Sequence, residues 1–260
     1  MKKYIFAAFV AVLSVTCFAS YSFGIDGESE KKKLLALGNC AECDLSGADL
    51  REANLNGADL SGAKLREANL SGAKLREANL NGAKLREANL SGAKLNGANL
   101  SEANLAGANL REANLSVADL REANLVSADL VMAKLKRANL TKANLTKANL
   151  GLVDLREVNL SEANLTKANL GLVDLSEANL SGANLSGANL SGANLLKVDL
   201  TEANLSGANL REANLTEVNL SWADLGKANL KGAVLRNAKI FMAIFCNTKT
   251  PWGLDNSGCK

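Results

Sequence analysis

Residues 136–150 read K-R-A-N-L-T-K-A-N-L-T-K-A-N-L, three copies of the five-residue unit that decides the fold of this chain. The unit, A-N/D-L followed by two variable residues, runs through most of the 260 residues. Leucine occupies every fifth position from Leu45 to Leu235, and Ile240 and Phe245 continue the same column. Tandem self-similarity of this kind predicts a solenoid, in which each repeat packs on its neighbours.

The five-residue period excludes a single long helix and a continuous strand. Five positions of an α-helix turn through about 500°, so the leucines would point to all sides of it. As a short strand, by contrast, the unit places Ala and Leu on one face, with the Asn or Asp between them on the other. The two variable residues, typically Ser-Gly, Arg-Glu or Thr-Lys, are polar and fit a corner. The sequence therefore predicts a solenoid in which short extended sides are joined by corners, with the Ala and Leu side chains pointing inward.

A longer period indicates how many sides form one coil. The unit G-L-V-D-L occurs at 151–155 and again at 171–175, and valines that replace the inward alanine recur at multiples of 20 residues. A coil of four sides and 20 residues places these identical residues on one face, whereas a triangular coil of 15 residues would scatter them over different faces. The pattern therefore favours four sides. Recent duplication would leave a similar pattern, so the period alone does not decide the number of sides.

The tandem A-[DN]-L-x-x units over residues 41–245 resemble the pentapeptide-repeat family. The resemblance implies an all-β fold, a right-handed four-sided parallel β-helix, with Leu and the residue two before it pointing inward. About ten coils are expected, since some forty consecutive units match the pattern.

The segments outside the repeat suggest four parts to the chain. Residues 1–24 have a positive start and an apolar run, and they predict a cleaved secretory signal; an uncleaved membrane anchor is the alternative. Residues 25–39 predict a short helix that caps the first coil, with Leu34, Leu35 and Leu37 as its apolar end. The β-helix is expected over 40–245 and a C-terminal cap over 246–260.

Composition argues against several classes of function. The formal net charge is +3, of which two charges lie in the predicted leader, so neither nucleic-acid binding nor strong acidity is indicated. The chain has no His, the residue most used for general base catalysis and metal binding. We expect no enzyme, no catalytic residue, no cofactor and no metal site, because the repeat builds a convex rod without a pocket.

Four of the five cysteines lie outside the predicted leader, in pairs at the two ends of the repeat. In an exported protein, an even number of paired cysteines predicts disulfides. Cys246 and Cys259 form one candidate bond, and Cys40 and Cys43 form a possible second one. A redox or metal motif is the alternative for Cys40-x-x-Cys43, but nothing nearby completes a ligand set, and the βαβ context of a redox domain is missing.

One outward column departs from the polar rule of the repeat. Met132, Leu152 and Leu172 stand 20 residues apart, where Gly, Glu or Lys is usual, and they form a candidate interaction patch. Harmless drift after duplication is the alternative. Columns of Asn, such as the one at 20-residue steps from Asn104 to Asn204, are expected to form side-chain hydrogen-bond ladders.

These observations predict a non-enzymatic structural or protein-interaction rod in the periplasm or outside the cell. Its protein partner and its oligomeric state are unknown, and it would contact a membrane only through an uncleaved leader. The resemblance adds a second hypothesis, a DNA-mimicking protein that binds gyrase, but such relatives are acidic and lack a leader. A third hypothesis is a carbohydrate or other surface-binding module, using the flat faces.

Overall fold

A computed structural model describes residues 27–259 of the chain. The predicted leader, residues 1–24, lies outside the described residues. The regular elements are α1 (Gly27–Leu37), β1 (Thr248–Thr250) and β2 (Gly253–Asp255). None of the helices in the described part is long and apolar enough to cross a membrane.

Between α1 and β1 the chain winds as a ladder of short parallel bridges. Every fifth residue from Asn39 to Asn229 forms a parallel bridge with the residue 20 positions later, for example Asn144 with Asn164. Four five-residue sides thus make one coil, and the predicted 20-residue period is confirmed. The ladder begins at Asn39 and ends at Lys249.

Each side places its apolar residues inward, as the alternation of a strand requires. The column from Leu45 to Leu230 is at most 1% exposed throughout. Alanine, valine or, before Leu45, Cys43 fills the position two before each of these leucines, and Val153, Val173 and Val218 are at most 2% exposed. The two side-chain types stack into one continuous core along the axis of the rod.

Each corner is a tight turn whose second residue has a left-handed backbone. At 145–148 the Ala148 N–H donates to the Leu145 carbonyl (2.9 Å), and Lys147 lies at φ 59°. Glycine is the usual residue at such a position, yet most corners here hold Glu, Lys or another side chain. A hydrogen bond to the next coil offsets the cost of this left-handed backbone, because the Lys147 N–H donates to the Thr166 carbonyl at 3.0 Å.

The two ends of the rod are covered to different extents. At the N-terminal end, Leu34 of α1 is 1% exposed and packs against the core. Leu35 and Leu37 are exposed, so only one of the three leucines in the apolar end of the helix is buried. At the C-terminal end β1 continues the ladder and pairs with β2 in antiparallel register. Ile240, expected to point inward, is 46% exposed, because none of the coils within residues 27–259 covers it.

Replacing Leu145 with Ala in the middle of the rod should lower the free energy of unfolding by about 2–5 kcal/mol, because it leaves a cavity among fully buried side chains. Urea unfolding followed by circular dichroism measures the change. Lys147→Ala, two residues away on an exposed corner, is the matched control and should change stability by less than about 0.5 kcal/mol. Equal stability of both variants would disprove the inward position of Leu145.

Candidate interaction surface

The structure brings Met132, Leu152 and Leu172 together as one column on three successive coils. Their coils are joined through the bridges of Lys134 with Asp154 and of Asp154 with Asp174. All three occupy the second corner position, with φ between 59° and 61°, and the left-handed backbone turns each side chain outward. They are 52%, 60% and 68% exposed, so the column presents apolar surface to solvent.

The column has a defined boundary at each end. One coil before Met132 the same position holds the exposed Glu112. One coil after Leu172 it holds Gly192, where a Cβ atom would lie only 2.7 Å from Leu172 Cδ2. Because Gly192 has no side chain, the Leu172 side chain can occupy the space beside it.

The backbone ladder is loosened beside this column. Within the described residues, the N–H groups of Leu152, Val173 and Asp174 lack the backbone hydrogen bonds that the same positions make in other coils. The neighbouring bond from Asp154 N–H to the Ala133 carbonyl is long, at 3.4 Å. These gaps coincide with the two stacked G-L-V-D-L units, so here the rod departs from its pattern in both surface and backbone.

Charged groups flank the column. The Arg156 guanidinium bonds Asp154 (Nη2–Oδ2, 2.8 Å), and this contact lowers the pKa of the Asp154 carboxyl. Glu157 accepts from Arg137 Nε at 2.6 Å and also pairs with Lys136, and the two cations lower its pKa. The apolar strip thus has ion pairs on the next side of the rod.

Side-chain hydrogen-bond ladders form in some asparagine columns, but the column for which a ladder was predicted is mostly without one. In the column from Asn104, only the rung from Asn124 Nδ2 to Asn104 Oδ1 (3.4 Å) joins successive coils among the described residues. The column from Asn149 through Asn169 to Asn189 is more continuous, with rungs of 3.0 and 3.1 Å. Most of these oxygens also accept from the backbone N–H two residues later, which fixes the start of the corner.

Both cysteine pairs are joined in disulfides, Cys40 with Cys43 and Cys246 with Cys259. The first pair is buried at the start of the core, and α1 brings Glu30 next to it, with Cys40 Sγ 3.5 Å from Glu30 Oε2. The sequence did not identify this neighbour, because the direction in which α1 folds back is not encoded in the spacing. Cys40, Cys43 and Glu30 offer three ligand atoms within 4.8 Å of one another, but sulfurs joined in a disulfide are not the thiolates that bind metals.

Two single outliers of the outward positions also lie on the surface. Val117 is 65% exposed and Trp222 is 53% exposed. The Trp222 ring packs edge-on against Phe241, with the centroids 5.7 Å apart. Trp222 therefore belongs to the C-terminal end of the rod and not to the column of Met132.

The family model described as "Pentapeptide repeats" matches the chain in eight copies, over residues 43–82, 63–101, 98–136, 133–171, 174–211 and 213–249. These segments span most of the chain, which belongs to the pentapeptide-repeat family. No significant match was found among curated proteins.

Among solved structures, HetL, a pentapeptide repeat protein involved in heterocyst differentiation regulation from the cyanobacterium Nostoc sp. strain PCC 7120, is 37% identical; the match covers 86% of this chain and 96% of HetL, with a TM-score of 0.46. Full-length QnrB1, a plasmid-mediated fluoroquinolone resistance protein, is 22% identical over 77% of this chain and 92% of its own, with a TM-score of 0.54. A pentapeptide repeat protein from the thylakoid lumen of Arabidopsis thaliana is 34% identical over 35% of this chain and 67% of its own, with a TM-score of 0.31. The likeness to QnrB1 supports the β-helix fold and carries no function.

Replacing Arg156 with Ala should raise the pKa of Asp154 toward its ordinary value, because the guanidinium is the main group that lowers it. A carboxyl whose pKa is lowered in the folded state stabilises the fold above its unfolded pKa, and this contribution is lost as the pH falls through the folded pKa. The variant should therefore be slightly less stable than the parent near pH 7, because solvent screens this exposed pair, and the difference should vanish at low pH.

Carboxyl chemical shifts followed by NMR, and urea unfolding at both pH values, measure the two effects. Arg76→Ala is the matched control, since Arg76 occupies the same corner position and its side chain forms no ion pair in the described part of the chain. An unchanged titration of Asp154 in the Arg156 variant would contradict the assigned cause.

Proposed function

We propose that the chain is a non-enzymatic rod that binds another protein in the periplasm or outside the cell. In this proposal the rod is a right-handed β-helix of about ten coils, and α1 serves as the cap of its N-terminal end. Membership in the pentapeptide-repeat family supports a structural or interaction role, since members are in general not enzymes.

The observation that carries the proposal is the apolar column of Met132, Leu152 and Leu172. A row of large apolar side chains on three successive coils, each more than half exposed, is unusual on a rod whose corners are mostly polar. The side chains project from adjacent coils of one stiff array, so their spacing is fixed before binding and little order is lost on contact.

The likeness to QnrB1 does not support gyrase binding by this chain. At 22% identity it concerns the fold alone. Mimicry of DNA requires a strongly acidic surface, whereas this chain has a net charge of +3. No described feature favours a carbohydrate-binding module either.

Changing Met132, Leu152 and Leu172 to Lys should weaken binding of the partner at least about tenfold, because three charges would have to be desolvated at the contact. The partner is first identified by cross-linking in the exported fraction, and its affinity for the purified rod is then measured by calorimetry. The control variant Glu102→Gln, Glu122→Gln, Glu162→Gln changes the net charge by the same amount, in the same corner position on another side of the rod. Equal affinity of the two triple variants would remove the column as the binding site.

Cell fractionation with a non-reducing gel tests the proposed compartment. We expect a protein shortened by the leader, outside the cytoplasm, whose four remaining cysteines do not react with a thiol reagent until a reductant is added. Full-length protein in the membrane fraction would support an uncleaved anchor instead. Thiols that react without reductant would contradict both disulfides and the oxidising compartment.

A further inference from the structure

The last coil of the rod, residues 231–250, is basic and forms no ion pairs with described residues, whereas the basic coil of residues 131–150 pairs three of its cations with Glu157 and Glu162 of the next coil. The last coil contains four basic residues, Lys231, Arg236, Lys239 and Lys249, and no acidic one. All four are exposed, and none takes part in an ion pair with any described residue. The coil before it, residues 211–230, mixes both signs. A concentration of unpaired positive charge therefore lies at the C-terminal end.

The same coil exposes apolar side chains that the rest of the rod buries or replaces. Val234 occupies an outward position that holds Asn, Asp or Lys in the preceding coils, and it is 52% exposed. Ile240 belongs to the inward column and is 46% exposed, while Phe241 and Met242 on the next corner are 65% and 56% exposed. We call residues 231–243 the open rim.

The backbone of the open rim is an unpaired sheet edge. In earlier coils the N–H groups of the leucine and of the second corner residue donate to the following coil, as Leu145 and Lys147 do. At Leu235, Asn237 and Ile240 the corresponding N–H groups find no acceptor within residues 27–259. Such an edge is a template for a further strand.

The chain itself demonstrates how this end can be covered. On one side of the last coil, β2 pairs antiparallel with β1, and Lys249 lies opposite Leu254. Near the preceding corner, the Gly258 N–H donates to the Phe245 carbonyl at 2.9 Å, and Phe245 is 5% exposed. A strand on the edge thus buries the core beneath it, and the open rim is the part of the last coil that this hairpin leaves uncovered.

We propose that the open rim binds an extended acidic segment of another protein, which adds strands to the free edge of the last coil. Main-chain hydrogen bonds to the rim N–H groups supply affinity, as in other cases of strand addition. Carboxylates on one face of the segment meet Lys231, Arg236 and Lys239, and the alternating apolar side chains on its other face cover the inward Leu235 and Ile240. This goes beyond the proposed role of the apolar column, because the rim uses different residues at another place on the rod.

Two other occupants fit the rim less well. A second copy placed end to end would bring four unpaired basic residues against four others, which opposes association. Insertion into a lipid surface would leave the rim N–H groups without acceptors in hydrocarbon, which is strongly unfavourable. An acidic polypeptide satisfies the charges and the backbone groups together.

Fluorescence anisotropy with three labelled synthetic peptides tests the proposal. One peptide alternates Glu and Val, one alternates Lys and Val, and one alternates Glu and Pro, which keeps the charge but cannot extend a strand ladder. The Glu/Val peptide should bind the full chain at least about tenfold more tightly than the other two, and its binding should weaken with salt. Equal affinity for the Glu/Val and Lys/Val peptides, or for the Glu/Val and Glu/Pro peptides, would overturn the proposal.

Matched variants locate the binding. Lys231→Gln, Arg236→Gln, Lys239→Gln should reduce the affinity for the Glu/Val peptide about tenfold or more. Lys74→Gln, Lys84→Gln, Lys94→Gln changes the net charge equally, far from the rim, and should leave the affinity unchanged. Equal affinity of both variants would overturn the assignment to the rim.

Two further measurements separate the other occupants. Analytical ultracentrifugation should find no dimer that depends on the rim, and anionic phosphatidylserine vesicles should not retain the parent more than the rim variant. A dimer lost in the rim variant would replace the acidic segment with a second copy. Rim-dependent vesicle binding without peptide binding would replace it with a lipid surface.

Discussion

The backbone hydrogen bonds between successive coils are the constraint on which the rest of the structure depends. A side is too short to be stable alone, and its backbone groups are satisfied only when the next coil returns in register, as the Leu145 N–H does with the Asn164 carbonyl. Each coil must therefore close after four sides, and each corner must turn the chain by the same amount. Inward leucines and alanines fill the narrow interior that this closure leaves.

Closure requires a left-handed backbone at each corner, which is unfavourable for a residue with a side chain by roughly 1–2 kcal/mol. Glu, Lys and even Trp222 occupy such positions. Two groups stabilise the conformation: the preceding Asn or Asp, which accepts from the first corner N–H, and the next coil, which accepts from the second. With the backbone held in this way, the side chain at the second corner position projects into solvent and is free to vary. That freedom allows Met132, Leu152 and Leu172 to form an apolar column without disturbing the core.

Sequence reasoning predicted what the repeat determines and missed what the ends determine. The inward Leu, the 20-residue period and the alignment of Met132 with Leu152 and Leu172 all follow from fixed spacing. The contact of Glu30 with Cys40 does not, because it depends on how α1 docks. The exposure of Ile240 was also missed, since its spacing is that of a buried residue and only the absence of a covering coil distinguishes it. Left-handed corners with Glu or Lys were hidden for a similar reason: the hydrogen bonds that stabilise them come from a residue 19 positions further along the chain.

The rod also fixes the distance between its two unusual surfaces. Leu172 and Gly232 occupy the same corner position three coils apart, which corresponds to about 15 Å along the axis at the usual strand separation. An extended polypeptide covers that distance with about five residues. A single partner chain could therefore bind both surfaces. One of its segments would lie on the open rim, and a short linker would place its apolar side chains against Met132, Leu152 and Leu172. Because the array between them is stiff, the two contacts would act as one site with a high effective concentration, provided that the linker matches the spacing.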